Sequence, residues 1–225
     1  MPLMTSPGYG KLHRLSRFDA MVARGSVRAR FGRHATLSCP TPCAMNRRIC
    51  VFCGSSPGND DAYLAMARGA SRAIVRAGYG IVYGGGRIGL MGAVADAALE
   101  AGGEVVGVIP EALARAEVAH DGLTKLHVVT SMHARKALMA ESSHGFIALP
   151  GGFGTMDEFC EVLSWRQLGI HDRPIGLLNH DEYFCRLIEL FDSMVVRGFV
   201  TPANRRLFVD EDAIEPLLAA MFSER

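Results

Sequence analysis

The chain has 225 residues, of which 49% are hydrophobic and 21% are charged, the composition of an ordinary folded domain rather than of a fibrous or disordered chain. Its apolar runs are too short to cross a bilayer, which argues against a membrane protein. Residues 1–45 contain seven basic residues and one acidic residue, a net charge of +6, and the whole chain carries +1. The remainder therefore carries −5, and this acidic-leaning body argues against nucleic acid as the main partner.

The first segment, residues 1–45, is expected to be a disordered basic extension. It shows no helical or strand periodicity, and it contains prolines at positions 2, 7, 40 and 42. No apolar stretch typical of a secretory signal is present. An arginine-rich, acid-poor composition is also found in organelle transit peptides, and this alternative stays open. Met45, which stands just before the first predicted strand, favours a gene model that extends upstream of the natural start.

From residue 46 onward, strand patterns alternate with helical patterns, and we assign residues 46–225 to a single domain. Predicted strands cover residues 49–53, 80–83, 104–109, 126–130, 145–149, 174–178 and a short stretch near 207–209. Predicted helices cover residues 60–77, 89–101, 132–142, 156–168, 181–197 and 211–222. This alternation predicts an α/β, Rossmann-like fold, in which a doubly wound parallel sheet carries helices on both faces. Residues 110–125 form a long connection that we expect to cover a pocket.

Six cysteines stand at positions 39, 43, 50, 53, 160 and 185. The spacing of the first four resembles that of a four-thiolate zinc site. However, Cys50 and Cys53 fall in and at the end of a predicted buried strand, where alternate residues point to opposite faces. We therefore predict no metal site, and we interpret the cysteines as free thiols of a protein in the reducing cytoplasm.

A glycine-rich segment, residues 83–92 (YGGGRIGLMG), follows one strand and opens a helix. In a parallel sheet the carboxyl ends of the strands share one edge, where ligands bind. The spacing of Gly84, Gly85 and Gly86 with the later glycines is not the G-x-G-x-x-G of a dinucleotide site, and no Gly-Lys-Ser/Thr of a P-loop follows. The segment therefore predicts a ligand-binding loop without naming a ligand class.

A helix is predicted to begin at residue 132, in the sequence MHARKALM. Met132, Arg135 and Met139 share one helical face, which we expect to pack inward. A buried guanidinium requires a carboxylate or phosphate partner, so a structural ion pair and a clamp on an anionic ligand are both open. The spacing does not decide whether Lys136 points to the same pocket or to solvent.

Residues 150–158 (PGGFGTMDE) form a second glycine turn between a strand and a helix. Backbone N–H groups at the positive end of a helix bind phosphate or another anion. Thr155 stands where an N-cap residue is expected, and Glu158 follows three residues later in the pattern of a capping box. Spacing alone leaves two alternatives for Glu158: a carboxylate that caps the helix, or a catalytic carboxylate beside a bound phosphate.

Taken together, these motifs resemble the LONELY GUY family of cytokinin-activating phosphoribohydrolases, whose members often carry the label lysine decarboxylase. PGGFGTMDE matches the family signature P-G-G-x-G-T-x-x-E. Residues 53–56 (CGSS), YGGGRIGLMG, MHARK and residues 165–171 (WRQLGIH) resemble further family features in the same order. The resemblance covers about residues 46–208. It implies hydrolysis of the N-glycosidic bond of a nucleoside 5′-monophosphate, giving a free base, typically an N6-substituted adenine, and ribose 5-phosphate.

The resemblance also implies roles for individual residues. Arg135 and Glu158 match the catalytic pair of the family, which favours the catalytic alternative for Glu158. A carboxylate there would stabilise the positive charge that develops at the anomeric carbon. The resemblance implies no cofactor. It does imply a homodimer, in which the helix that carries Trp165 lies near the interface. The implied substrate-binding positions are Ser55, Ser56, Gly84, Gly85, Gly86, Met132, Lys136, Gly151, Gly152, Gly154 and Thr155.

Two other activities can be weighed on the residues present. A pyridoxal-dependent decarboxylase needs a Schiff-base lysine, and the chain has only Lys11, Lys125 and Lys136, none within a matching cofactor motif. We reject that activity. The remaining alternative is a non-catalytic carrier of a nucleotide or molybdopterin-type cofactor on the same scaffold. Such a carrier needs the glycine loops but not both Arg135 and Glu158, so the presence of both favours the enzyme.

Overall fold

The computed structural model describes residues 47–114 and 119–223. The predicted basic extension at residues 1–45 therefore lies outside the described residues, together with Cys39 and Cys43. Part of the long connection after Pro110 lies outside them as well.

Within the described residues, seven strands form one sheet in which all neighbours are parallel. In chain order they are β1 (Arg48–Phe52), β2 (Gly80–Tyr83), β3 (Val105–Pro110), β4 (Lys125–Val129), β5 (Gly145–Ala148), β6 (Ile175–Leu178) and β7 (Val209–Glu211). Their spatial order is β4-β3-β2-β1-β5-β6-β7. The central strands are buried on both faces, which explains why their sequences are continuous apolar runs.

Helices cover both faces of the sheet, as the sequence predicts. Residues Ile49 and Val51 of β1 pack with the helices of one face, whereas Cys50 and Phe52 pack with those of the other face. Among the described residues, no helix is both long enough and apolar enough to cross a membrane. The helices are α1 (Asp61–Arg76), α2 (Gly89–Glu100), α3 (Glu111–Leu113), α4 (Met132–Glu141), α5 (Phe153–Gln167), α6 (Cys185–Val196), α7 (Pro202–Arg205) and α8 (Ile214–Phe222).

Three helix starts, those of α5, α6 and α8, differ from the predictions by three or four residues. Helix α5 begins at Phe153 rather than at residue 156, because Gly152 already has the extended backbone of an N-cap. Helix α6 begins at Cys185 rather than at residue 181. A short turn, His180–Glu182, precedes it, and Asn179 Oδ1 accepts a hydrogen bond from the N–H of Phe184 at 2.7 Å. Helix α6 therefore begins only after this turn.

The short helix α7 was not predicted. It has only four residues, too few for a helical pattern of apolar positions to be visible. Its start signals are nevertheless present, because Pro202 occupies the first turn and Thr201 Oγ1 accepts a hydrogen bond from the N–H of Asn204 at 3.1 Å. Strand β7 and helix α8 begin two to three residues later than predicted as the chain accommodates this extra turn.

Strands β1 and β5 lie side by side at the centre of the sheet. From β1 the chain builds the sheet outward on one side, and from β5 it builds outward on the other. Connections at such a point depart to opposite faces and leave a crevice at the carboxyl edge, where ligands bind in open α/β sheets. The loops that follow the two strands meet there, since the N–H of Gly54 donates to the carbonyl of Pro150 at 3.2 Å.

Candidate active site

The glycine turn at residues 150–158 joins β5 to α5 at this crevice. Gly152 is the N-cap of α5, and Phe153, Gly154 and Thr155 form its first turn, which contains no acidic residue. The first N–H groups of a helix have no acceptor within the helix, and the helix dipole adds partial positive charge. The turn is therefore well suited to bind an anion.

Thr155 is not the N-cap as predicted, and the structure contradicts the capping-box alternative for Glu158. Thr155 is the third residue of α5, and its hydroxyl is buried without a hydrogen-bond partner among the described residues. The carboxylate of Glu158 contacts Arg135 instead of turning back to the helix start. Because a buried hydroxyl without a partner costs free energy, a ligand that bonds to Thr155 Oγ1 would recover that cost.

Arg135 and Glu158 form a buried ion pair. Arg135 Nη1 lies 3.3 Å from Glu158 Oε1, and the two side chains are only 11% and 10% exposed. The guanidinium also donates to two backbone carbonyls, from Nε to Val108 at 3.2 Å and from Nη2 to Gly84 at 3.5 Å. The structure thus shows the ion pair, the first of the two alternatives for Arg135, and it places the residue in the wall of a cavity.

Gly84, at the end of β2, lies directly against the Arg135 guanidinium. A Cβ atom at this position would overlap Arg135 Nη2 and would approach Met91 Sδ to 3.3 Å. Close approach of the arginine, rather than an unusual backbone conformation, therefore requires glycine here. The first glycine of the YGGG segment thereby sets the position of the guanidinium.

The protonation of Glu158 is shifted by its surroundings. Burial raises its pKa to about 7, and the neighbouring charge of Asp157 acts in the same direction. The positive charge of Arg135 opposes this change without cancelling it. A carboxyl group with a pKa near neutrality is able both to accept and to release a proton at physiological pH.

Two cavities, each of about 270 Å³, open at the crevice and share Gly54, Ser55 and Gly152 in their walls. The ion-pair cavity brings together seven of the predicted site residues: Ser55, Gly84, Arg135, Gly152, Gly154, Thr155 and Glu158. The aromatic cavity is lined by Tyr63 and Tyr183 and contains two further predicted residues, Ser56 and Gly151.

Four predicted residues lie elsewhere. Gly85, with φ +76°, packs against Val108 and Ile109, and the carbonyl of Gly86 accepts a hydrogen bond from the Tyr83 hydroxyl at 3.1 Å. Met132 is 43% exposed, so the prediction that it packs inward with Arg135 is wrong. It occupies the first turn of α4, whereas the buried residues of this helix, Met139 and Ala140, lie near its other end.

Lys136 points neither into the ion-pair cavity nor freely into solvent. Its Nζ lies 3.1 Å from Asp157 Oδ2 and 2.9 Å from Glu161 Oε1, and it therefore ties α4 to α5. The two acidic residues stand on the same face of α5, one turn apart. Sequence spacing within α4 could not reveal this contact, because both partners belong to another helix.

Several residues of the ion-pair cavity were missing from the predicted set: Val51, Cys53, Gly54, Met91, Leu113 and Phe153. Four of them, Cys53, Gly54, Met91 and Phe153, lie inside the sequence motifs described above, so position within a motif was an available signal. Leu113 follows β3 in the long connection that was predicted to cover a pocket, and its side chain does line the cavity. Phe153 is 96% exposed beside the glycine turn.

The described cysteines are free thiols, and Cys50 and Cys53 are buried as predicted. Burial raises the pKa of both thiols, and the carboxylate of Glu158 adds to that effect. In the part of the chain that the structure describes, no group of three or more histidine, cysteine or acidic side chains is placed to hold a metal ion.

The fold is shared with solved structures of molybdenum-cofactor proteins. A molybdenum cofactor binding protein from Rippkaea orientalis aligns with a TM-score of 0.62 and 21% identity, over 80% of this chain and 98% of that one. A Moco carrier protein from Chlamydomonas reinhardtii aligns with a TM-score of 0.58 and 22% identity, over 78% of this chain and 94% of that one. At this level of identity the similarity establishes the fold alone.

Sequence comparison is more specific. A family model described as "Possible lysine decarboxylase" matches residues 91–221. A cytokinin riboside 5′-monophosphate phosphoribohydrolase from Rhodococcoides fascians is 53% identical over 186 residues, which is 82% of this chain and 91% of the relative. A protein of the same name from Arabidopsis thaliana is 48% identical over 163 residues, or 72% of each chain. The chain therefore belongs to the family of cytokinin riboside 5′-monophosphate phosphoribohydrolases.

Proposed function

We propose that this protein hydrolyses the N-glycosidic bond of an adenosine 5′-monophosphate derivative that carries an N6 substituent. The products are the free base, a cytokinin, and ribose 5-phosphate. The observation that carries the proposal is the buried Arg135–Glu158 pair, which shares one cavity with the N terminus of α5. The names of the sequence relatives support the same reaction.

The distance between the first turn of α5 and the carboxylate of Glu158 suits a ribose 5-phosphate group. Thr155 and Glu158 lie three residues apart in α5, which corresponds to about 4.5 Å along the helix axis. A phosphate at the first turn of α5 would accept hydrogen bonds from the N–H groups of that turn and from the free hydroxyl of Thr155. Its ribose would then extend along the helix toward the carboxylate of Glu158, with the Ser55 segment as the opposite wall.

Glu158 acts on the anomeric carbon in this proposal. As the bond from C1′ to the base nitrogen breaks, its electron pair stays with the base, and the ribose ring gains positive charge. The ionised carboxylate stabilises this charge and accepts one proton from the attacking water, whose oxygen bonds to C1′. The base nitrogen takes up a proton from solvent, so that a neutral base leaves, and Glu158 then releases its proton to solvent and is again ionised. The raised pKa of Glu158 places the carboxyl group close to the working pH for this transfer.

Arg135 has two tasks. Its charge lowers the pKa of Glu158 against the effect of burial, and so keeps part of the carboxyl ionised at neutral pH. Its bonds to the carbonyls of Val108 and Gly84 fix the guanidinium at one position, which also fixes the carboxylate that faces it. A group held in advance of substrate binding does not have to be ordered during the reaction.

The experiment is a direct product assay. Purified protein is incubated with AMP and with N6-isopentenyl-AMP, and the free base and ribose 5-phosphate are quantified by chromatography. We expect both products in equal amounts, with faster release from the N6-substituted nucleotide. Tight binding of either nucleotide without release of base would contradict hydrolysis and would favour the carrier alternative.

We further propose that the protein acts as a cytoplasmic homodimer. The connection after α5 presents Leu168 and Ile170 to solvent, although both are large apolar side chains, and this supports a partner surface near the helix that carries Trp165. The free thiols of the described cysteines agree with a reducing compartment. Sedimentation velocity at micromolar protein concentration should give a dimer, and Ile170→Glu should shift it toward the monomer.

A further inference from the structure

Tyr183 makes a contact that the reaction outlined above does not use. Its hydroxyl donates a hydrogen bond to the carbonyl of Gly151 at 2.7 Å. Gly151 belongs to the glycine turn that precedes α5, whereas Tyr183 follows β6, so the bond connects two separate loops at the carboxyl edge of the sheet. The ring itself stands edge-on to Phe184, with the centroids 4.8 Å apart, and it lines the aromatic cavity.

The backbone before Tyr183 is strained. Asp181 and Glu182 have φ angles of 52° and 55°, a left-handed backbone conformation that residues other than glycine adopt infrequently. Asn179 Oδ1 holds the other end of the turn through the N–H of Phe184, and the N–H of Tyr183 donates to the carbonyl of His180 at 3.2 Å. Strain of this kind persists only where the surroundings impose it, and it is concentrated at functional sites.

The bond constrains a peptide group that matters for anion binding. In a trans peptide unit the carbonyl of one residue and the N–H of the next lie in one plane and point in opposite directions. A hydroxyl bonded to the carbonyl of Gly151 therefore turns the N–H of Gly152 away from Tyr183. Gly152 is the N-cap of α5 and lines the ion-pair cavity. Glycine has no Cβ to limit rotation of this unit, and the bond from Tyr183 constrains it from outside the turn.

We propose that Tyr183 is a positioning residue, whose hydroxyl fixes the Gly151–Gly152 peptide so that the N–H of Gly152 is oriented to bind the 5′-phosphate of the substrate. The proposal rests on the proposed function in that it identifies the anion as a sugar phosphate. Tyr183 itself touches no reacting atom. Its effect is on the affinity for the phosphate group and not on bond cleavage, which Glu158 and Arg135 carry out.

The test is Tyr183→Phe, which keeps the ring and its packing and removes only the donor. Binding of ribose 5-phosphate is measured by titration calorimetry, and KM and kcat are measured with N6-isopentenyl-AMP. We expect the dissociation constant and KM to rise by about fivefold to tenfold, the effect of one lost hydrogen bond, while kcat changes less than about twofold. The matched control is Tyr63→Phe, which removes a hydroxyl from the same cavity but leaves the bond to Gly151 in place.

Four outcomes would overturn the proposal. Unchanged binding in Tyr183→Phe would show that the glycine turn holds its orientation alone. Equal losses in both variants would show that only the polarity of the cavity matters, and a fall in kcat at unchanged KM would place Tyr183 in the chemical step. A wild-type protein that failed to bind ribose 5-phosphate would show that no phosphate occupies the turn. Binding without hydrolysis by the wild-type protein would instead refute the proposed function and still leave the role of Tyr183 measurable.

Discussion

Arg135 lies 3.3 Å from Glu158, although the helices that carry them follow strands separated by three others in the sheet. Helix α4 follows the edge strand β4, and α5 follows β5 near the centre. The long arginine side chain spans this distance and donates to the carbonyls of Val108, within β3, and of Gly84, directly after β2. The ion pair thus depends on the order of the strands, because β2 and β3, which position these two carbonyls, are neighbours in the sheet.

Replacing Glu158 by glutamine should abolish most of the activity and preserve the fold. The amide is nearly the same size, but it can neither stabilise a developing positive charge nor accept a proton from water. We expect kcat to fall by about three orders of magnitude while ribose 5-phosphate still binds. Asp157→Asn is the control, because it removes a neighbouring carboxylate that faces Lys136 instead of the cavity. A Glu158→Gln enzyme with near wild-type turnover would assign the chemistry to another group.

Lysine should not replace Arg135. Three separate nitrogen atoms of the guanidinium reach Glu158, Val108 and Gly84, and a single ammonium group cannot be placed at all three contacts. Arg135→Lys should therefore reduce kcat/KM by about 100-fold or more, close to the loss in Arg135→Ala. Circular dichroism and thermal unfolding would verify that both variants fold. Full activity of the lysine variant would mean that a point charge suffices.

The pH dependence of kcat should report the ionisation of Glu158. Burial raises the pKa of this carboxyl to about 7, and the reaction needs the ionised form. The rate should therefore rise with pH, by nearly tenfold per unit below pH 7, and should level off above it. Measuring kcat at saturating nucleotide avoids the ionisation of the free substrate phosphate. A profile that is flat between pH 5.5 and 8 would contradict the requirement for an ionised Glu158.

The parallel sheet and the glycine loops could be predicted because they depend on local patterns. Apolar runs of strand length alternate with helical periodicity, and glycine marks each strand end where the chain turns closely. The same local patterns gave the wrong position for Thr155, which lies within helix α5 and not at its N-cap. The spacing to Glu158 matches a capping box, but the extended backbone of Gly152 starts the helix three residues earlier and leaves the threonine hydroxyl inside.

Contacts between distant segments could not be predicted from one sequence. Helical periodicity identified Arg135 as an inward residue, but the same face also included Met132, which is exposed in the first turn of α4. In the left-handed pair Asp181–Glu182, aspartate is a residue that tolerates this conformation but glutamate is not, so residue type gave only a weak signal for that turn. Its bond from Tyr183 to Gly151 connects segments 32 residues apart.

Lys136 should affect the pH profile and not the binding of substrate. Its ammonium group neutralises Asp157 and Glu161, whose negative charges raise the pKa of Glu158, and its own charge lowers that pKa. In Lys136→Met the rise in kcat should move to higher pH, with activity near that of the wild type restored at about pH 8.5 or above. Lys136→Arg, which keeps the charge, should retain the original profile. An increase in KM at every pH would instead place Lys136 in contact with the nucleotide.

Adding one methyl group at Gly84 should disable the site without unfolding the protein. The Cβ of Gly84→Ala would overlap the Arg135 guanidinium, which is the flexible end of a side chain and can move away. Its movement breaks the contact with Glu158, so we expect a loss of activity of about 100-fold or more, similar to that of Arg135→Ala. The matched control is Gly69→Ala. Gly69 is an exposed residue of α1 where a Cβ meets nothing within 4 Å, and alanine there should stabilise the helix by about 0.5–1 kcal/mol and leave activity unchanged. If Gly84→Ala kept full activity, the guanidinium would have a second functional position, and the close approach of Gly84 to Arg135 would not be needed for catalysis.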